Sequence, residues 1–213
     1  MDNSATGELV AVIIDYHKAR GYYADAFRTR SHPVPDKLPE ETNTAEWRAR
    51  YDVLAVQKPF YGPFLQILFG GPSEGQKLAM EFRTKYAEAR RRLEDYCSIH
   101  GKKESLSALC ETDVTAGSGE GIVMALGRHI GMLLQMLPPK DRLTMRINVD
   151  FPNVLREARG DLTQQQAVDQ LNAAMADNGN VSLESYKGWE AGRHSPQGTN
   201  RRAAHDFIRK RLG

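Results

Sequence analysis

Apolar residues recur every three or four positions along most of the 213-residue chain, a spacing that predicts a mostly α-helical protein. One apolar stripe runs through residues 7–28, and another runs through the highly charged residues 74–100, where Gly101 is expected to end the helix. Two shorter helices are predicted around residues 105–110 and 121–137. The stripe of the long charged helix consists of Leu78, Phe82, Tyr86, Ala89, Leu93 and Tyr96.

Proline-rich and irregular segments separate these helices. Residues 31–43 hold three prolines among charged residues, and a further helix is expected to begin after Thr44. Residues 60–69 are strongly apolar and lie between prolines. Apolar and polar residues alternate strictly over residues 142–149, which is typical of a strand or an extended linker. Phe151-Pro152 then marks a predicted boundary between a helical module, residues 1–150, and a terminal domain, residues 151–213.

The terminal domain contains two blocks with the features of short capped helices. Residues 155–164, Leu-Arg-Glu-Ala-Arg-Gly-Asp-Leu-Thr-Gln, predict a helix, a turn and a second helix that begins after Thr163. Residues 181–193 predict a helix that Ser182 caps and Gly192 ends. Two such helices, the second able to lie in a major groove, form the helix-turn-helix of DNA-binding proteins.

These two blocks resemble the phage repressor/Cro (XRE-like) family. That family shows an Arg-bearing first helix, Leu-Thr-Gln at the start of the second, and Val-Ser followed by an apolar residue and Trp-Glu-x-Gly across the third. Here Tyr186 fills the apolar position, and the resemblance covers residues 151–213 only. The distance from Ala167 to Ser182 is longer than is usual in the family, which predicts an extended second helix and a longer turn.

The resemblance implies which residues meet DNA. Thr163 and Gln164 at the start of the second helix suit a phosphate. Ser182 would cap the recognition helix and place five residues near base edges, where Glu184 could accept a hydrogen bond from cytosine. Glu190 is implied to form a structural ion pair with a first-helix arginine, Arg156 or Arg159, of which Arg156 is the predicted partner. The base-edge set is Leu183, Glu184, Ser185, Lys187 and Gly188, and the further phosphate contacts are Arg193, Arg201 and Arg202.

The composition and charge of the chain limit which other functions are expected. The net charge is only +2, so nucleic-acid binding has to come from local basic patches. The two cysteines and six histidines form no metal-binding pattern, no catalytic motif stands out, and neither an enzyme nor a cofactor is expected. No signal peptide or long apolar span is present in the sequence, which predicts a cytoplasmic protein with no membrane association.

Three other segments have competing interpretations. Residues 117–121 are glycine-rich, but they lack the strand and the Gly-Lys-Ser/Thr of a phosphate loop, and a turn with Ser118 as helix cap is favoured. Residues 93–128 are spaced poorly for a second helix-turn-helix and favour ordinary helix packing. The basic residues 90–92 favour a solvated face over a contact with DNA or an acidic partner.

The sequence therefore predicts a transcriptional regulator that binds double-stranded DNA, most simply a repressor. A homodimer is expected because one short recognition helix offers few contacts, with residues 60–69 and the stripe of the long helix as its interface. The alternative is an antitoxin or a phage or plasmid inhibitor. In that case residues 1–150 would neutralise a protein partner, and DNA binding would serve autoregulation.

Overall fold

The computed structural model describes residues 3–30, 52–61, 74–110, 114–175 and 180–213. The regular structure of these residues is entirely helical, as the apolar spacing predicts. The chain divides into two compact units, Met1–Met136 and Leu137–Gly213, and each is described by itself.

The first unit is built around its N-terminal helix. Helix α1 packs against both α2 and α4, while α3 follows α2 and packs back on it. Residues 52–57 are helical and lead into a 3-10 turn at Pro59–Tyr61. The helices of this unit are α1 (Asn3–Arg30), α2 (Glu74–Ile99), α3 (Lys103–Cys110) and α4 (Glu120–Gln135).

The two long amphipathic helices predicted for this unit are confirmed. Gly101 adopts a positive φ of 64° directly after α2, a conformation that favours glycine and ends the helix. The predicted helix after Thr44 falls largely outside the described residues, apart from residues 52–57, which are helical.

The apolar stripe of α2 packs inside the first unit. Phe82, Ala89, Leu93 and Tyr96 are buried. The ring of Tyr23 on α1 lies 4.5 Å from that of Phe82, and Phe60 contacts the rings of Phe82 and Tyr86 edge-on. The stripe and Phe60 therefore belong to a core, and the prediction that they form a dimer interface is wrong for these residues. Residues 62–69 of that predicted interface lie outside the described part of the chain.

The second unit begins before the predicted boundary because residues 142–149 are helical. Pro139 occupies the first turn of this helix, where its fixed φ is compatible with helix formation. The alternating apolar positions are also two pairs spaced four residues apart, 143 with 147 and 145 with 149, and such pairs share a helix face. The strand or linker prediction is therefore wrong, and this helix packs with those that follow.

The second unit buries one small core. Its helices are α5 (Pro139–Val149), α6 (Phe151–Arg159), α7 (Gln164–Ala174), α8 (Leu183–Glu190) and α9 (Gly198–Leu212). Ile147 of α5 joins Leu155, Leu171 and Trp189 in this core, whereas Leu162, in the turn between α6 and α7, is only half-buried.

Candidate nucleic-acid interface

Helix α7 begins with a reciprocal capping box. The Thr163 hydroxyl accepts a hydrogen bond from the Gln166 backbone N–H at 3.2 Å, and the Gln166 side chain accepts one from the Thr163 N–H at 2.8 Å. Two otherwise unpaired backbone donors are satisfied in this way. The predicted start of the second helix is confirmed. The helix continues to Ala174, and residues 176–179 of its predicted extension lie outside the described residues.

An asparagine near the end of α7 holds the chain that enters α8. The Asn172 amide donates to the Val181 carbonyl at 3.1 Å and accepts from the Val181 N–H at 2.8 Å. This two-point clamp fixes the chain immediately before the cap of α8. Sequence reasoning missed this role of Asn172, because its partner lies on the far side of the turn.

Helix α8 has both of its predicted ends. The Ser182 hydroxyl accepts from the Ser185 backbone N–H at 3.1 Å and donates to the Ser185 hydroxyl at 2.9 Å. Gly192 has a positive φ of 67°, and its N–H donates to the Trp189 carbonyl. Both end residues are therefore confirmed in their structural roles.

Glu190 joins three helices through one buried carboxylate. Its two oxygens accept from the Arg159 Nε at 2.7 Å and from the Gln164 Nε2 at 2.6 Å. A second Arg159 nitrogen donates to the Leu162 carbonyl at 2.7 Å, which also fixes the turn between α6 and α7. Because the Glu190 side chain is only 5% exposed, this network sets the relative placement of α6, α7 and α8.

The arginine partner of Glu190 is Arg159, and the prediction of Arg156 is wrong. Arg159 stands at the end of α6, beside the turn that leads into α7, whereas Arg156 lies a turn earlier. Arg156 is exposed and donates within its own helix, to Asn153 and to the Pro152 carbonyl. The hydrogen bond to Glu190 raises the pKa of Arg159, so the guanidinium stays charged.

The same network changes the interpretation of Gln164. One amide N–H of Gln164 donates to Glu190, so the side chain predicted to contact a phosphate has a structural partner.

Burial, together with the neighbouring Glu190 carboxylate, also raises the pKa of Tyr186, whose ring packs beside Trp189. The inner side of α8 is thus occupied by packing and by this hydrogen-bond network.

The outer side of α8 carries fewer residues than the sequence predicts. Glu184 and Lys187 are exposed and Ser185 is partly exposed. Leu183 packs against the core, and Gly188 is buried beneath the imidazole of His194, which occupies the space that a side chain at this position would need. Leu183 and Gly188 are therefore not part of the outer face of α8.

Basic residues follow α8 along the chain. Arg193 reaches back to Glu184 with an N–O distance of 3.1 Å, and both side chains are well exposed. Helix α9 carries five basic residues and one acid, and its Arg201 and Arg202 are exposed near its N-terminus. At the other end of α9, Arg211 donates to the Ala158 carbonyl in the last turn of α6, where a cation is favourable.

The positive charge around residues 90–92 of α2 is partly neutralised by neighbouring carboxylates. Arg90 pairs with Glu94 at 2.8 Å, Arg92 with Asp15 at 2.6 Å, and the nearby Lys85 with Glu81 at 3.4 Å. This pairing favours the interpretation of residues 90–92 as a solvated helix face, because a polyanion would compete with carboxylates already in place.

The glycine-rich segment before α4 is a structural turn. Gly119 has a positive φ of 49°, its N–H donates to the Gln57 carbonyl at 2.9 Å, and a side chain at this position would meet the ring of Phe27. Gly119 is the N-cap residue of α4, so the assignment of that role to Ser118 is wrong. The backbone donor at the centre of the turn is thus used within the fold.

Among the described residues, no group of three His, Cys, Asp or Glu side chains is arranged to hold a metal ion. None of the described helices combines the length and apolar character needed to cross a bilayer. Comparison of the chain with protein-family models, curated proteins and solved structures found no match. The resemblance to the repressor/Cro family therefore rests on the residues of the two blocks.

Proposed function

We propose that the second unit binds double-stranded DNA sequence-specifically, with α8 in the major groove, and that the protein is a cytoplasmic transcriptional regulator, most simply a repressor. The arrangement at Glu190 is the observation that carries this proposal. It locks α7 and α8 together from the inside and leaves a polar outer face on α8. The diameter of an α-helix with its side chains, about 10–12 Å, matches the width of the major groove, about 12 Å.

The residues proposed to contact DNA have two chemical roles. Glu184 accepts from a base-edge amino group such as cytosine N4, and Ser185 and Lys187 offer hydroxyl and ammonium donors to neighbouring positions. Arg193, Arg201 and Arg202 neutralise phosphates, which gives affinity without sequence information. No cofactor takes part in either role.

Glu184, which is proposed to contact a base edge, is paired with Arg193 in the free protein. In the free protein Arg193 neutralises the carboxylate that would otherwise repel the phosphate backbone. An exposed pair of this kind is worth at most about 1 kcal/mol, so it can be exchanged for contacts with DNA at little cost.

We further propose that the regulator acts as a dimer, because one short recognition helix supplies few base contacts and paired half-sites multiply them. The apolar stripe of α2 is buried in its own unit and does not supply this interface.

Selection of bound duplexes from a random pool, with the full chain, tests the proposal directly. Enrichment of one motif is expected, and a two-fold symmetric motif would indicate a dimer. Recovery of no duplex above background at low salt would contradict the proposal.

Paired variants then distinguish residues that contact base edges from residues that neutralise phosphates. Glu184→Ala should relax the motif at one base position, with a cost of about 1–3 kcal/mol there. Arg202→Ala should weaken all sequences alike and reduce the slope of log affinity against log salt by about one. Arg128→Ala, which removes an exposed charge from α4 in the first unit, is the matched control and should change neither property. An unchanged motif in Glu184→Ala would show that α8 is not the reading helix.

A further inference from the structure

A small polar pocket lies beside the start of α9. It has a volume of about 180 Å³ and is lined by the end of α5, the start of α6, the segment before α9 and the first turns of α9. This volume is well below the 300–1,000 Å³ typical of small-molecule sites, so the pocket suits a compact group. The residues that line it are Ile147, Asn148, Phe151, Ser195, Pro196, Arg201 and His205.

The polar groups of this pocket suit an oxyanion. Arg201 and His205 lie four residues apart on α9 and so share one face of the helix. Ser195 and Asn148 add a hydroxyl and an amide from two other segments. The imidazole of His205 is half-buried and lies against the ring of Phe151, with 6.1 Å between ring centroids, so packing holds it at the pocket.

The surroundings of His205 are mainly cationic. Burial is the largest effect and lowers the pKa of His205, and Arg201 and Arg209 on the same helix lower it further. Asp206 opposes them, while the residues that line the pocket from α5, α6 and the preceding segment are uncharged. The imidazole is therefore mostly neutral near pH 7 in the free protein.

We propose that this pocket takes one phosphate of the DNA backbone and that His205 takes up a proton when the phosphate binds. This inference rests on the proposed function and adds a specific ligand group and a pH dependence to it. The phosphate places negative charge beside Arg201 and His205 and so offsets the repulsion between the imidazolium and the arginines. The charged form of His205 becomes favourable, and it donates a hydrogen bond to a phosphate oxygen.

The direction of the pH effect follows from this coupling. If DNA raises the pKa of His205 above its value in the free protein, binding consumes a proton. Affinity then increases as the pH falls through the range between the bound and the free pKa, by at most about tenfold for each unit between them.

The experiment measures Kd for the selected duplex between about pH 8 and about pH 5.5, the range in which histidines titrate, at constant ionic strength. The wild type should bind about three- to tenfold tighter at the acid end. His205→Asn and His205→Phe should lose the pH dependence, so that each variant binds with the same affinity at both ends of the range. The phenylalanine variant preserves a ring against Phe151, so loss of packing is distinguished from loss of the proton.

Two further measurements separate the outcomes. His194→Asn removes the exposed imidazole beside Gly188 and should leave the pH dependence intact. In the NMR titration of the wild type, the pKa of His205 should be higher with the duplex than without it. Duplex binding that is independent of pH, or a dependence that persists in both His205 variants, would overturn the inference and leave the proposed function standing. Failure to bind any duplex at every pH would instead overturn the proposed function itself.

Discussion

At Glu190 a single carboxylate receives donors from the end of one helix and the start of the next. Such a buried group costs free energy to desolvate, and it is tolerated because both oxygens are hydrogen-bonded and one partner is charged. Removing either donor therefore leaves a charge buried with too few partners. The structural value of this residue lies mainly in fixing geometry.

The first prediction compares two arginines of α6. Arg159→Ala should lower the free energy of unfolding of the second unit by about 2–4 kcal/mol, since it leaves the buried Glu190 carboxylate without its cation. Arg156→Ala should change it by less than about 0.5 kcal/mol, because that side chain is exposed and bonds only within its own helix. Urea unfolding followed by Trp189 fluorescence, in a Trp47→Phe background, measures both values. Equal effects of the two substitutions would contradict the assignment of Arg159 as the partner.

Residue-scale features were predictable from sequence where their chemistry is local. Thr163, Ser182 and Gly192 act within their own helix ends, and short-range rules are sufficient to place them. The choice of Arg159 over Arg156, the capture of Gln164 by Glu190 and the covering of Gly188 by His194 depend on which helix faces meet. No local pattern encodes that information.

At the scale of elements, the connection between α7 and α8 departs most from the family that the two blocks resemble. It is longer, and the Asn172 side chain clamps its far end by binding both backbone groups of Val181. The clamp allows a lengthened turn to deliver α8 in a fixed position. It therefore compensates locally for the extra residues.

The second prediction tests that clamp. Asn172→Ala should destabilise the second unit by about 1–3 kcal/mol, because two partly buried backbone groups lose their partner. In this variant the hydrogen exchange of the α8 backbone amides should become faster than in the wild type, and that of the α6 amides should change less. Asn172→Asp should be intermediate, since it can still accept from the Val181 N–H but cannot donate to the carbonyl. Unchanged exchange in α8 would show that the clamp does not hold the helix.

Helix α5 illustrates the limit of pattern analysis for elements. Its four alternating apolar positions satisfy a strand period and also form two helical pairs, so periodicity alone does not decide between the two. The helical conformation is favoured by Pro139 in the first turn. It is also favoured by neighbours on more than one side, which bury Met145, Ile147 and Val149 together. Long amphipathic helices such as α1 and α2 present no such ambiguity.

At the scale of the molecule, the division into two units falls at Met136 and Leu137, so α5 belongs with the other helices of the second unit. The third prediction follows from this division. A fragment of residues 137–213 should unfold in one cooperative transition with a helical circular dichroism spectrum. A fragment of residues 151–213 lacks Ile147 and the partly buried Leu143 and should be less stable by about 2–5 kcal/mol, the usual cost of removing a large core side chain. Equal stability of the two fragments would place the boundary after residue 150.

The order in which the first unit can form follows from the central position of α1. The Arg20 Nε of α1 donates to the Val123 carbonyl of α4 across 103 residues of sequence, and the Tyr23 hydroxyl donates to the Val56 carbonyl across 33. During synthesis α1 leaves the ribosome before the helices that cover its apolar sides, which are completed much later. Its core side chains, Tyr16 and Ile13 among them, stay uncovered until then. The hydrogen bonds of the second unit span less sequence than the longest of the first, 31 residues from Arg159 to Glu190 and 53 from Ala158 to Arg211. Low contact order favours rapid folding, so the second unit is expected to fold faster than the first.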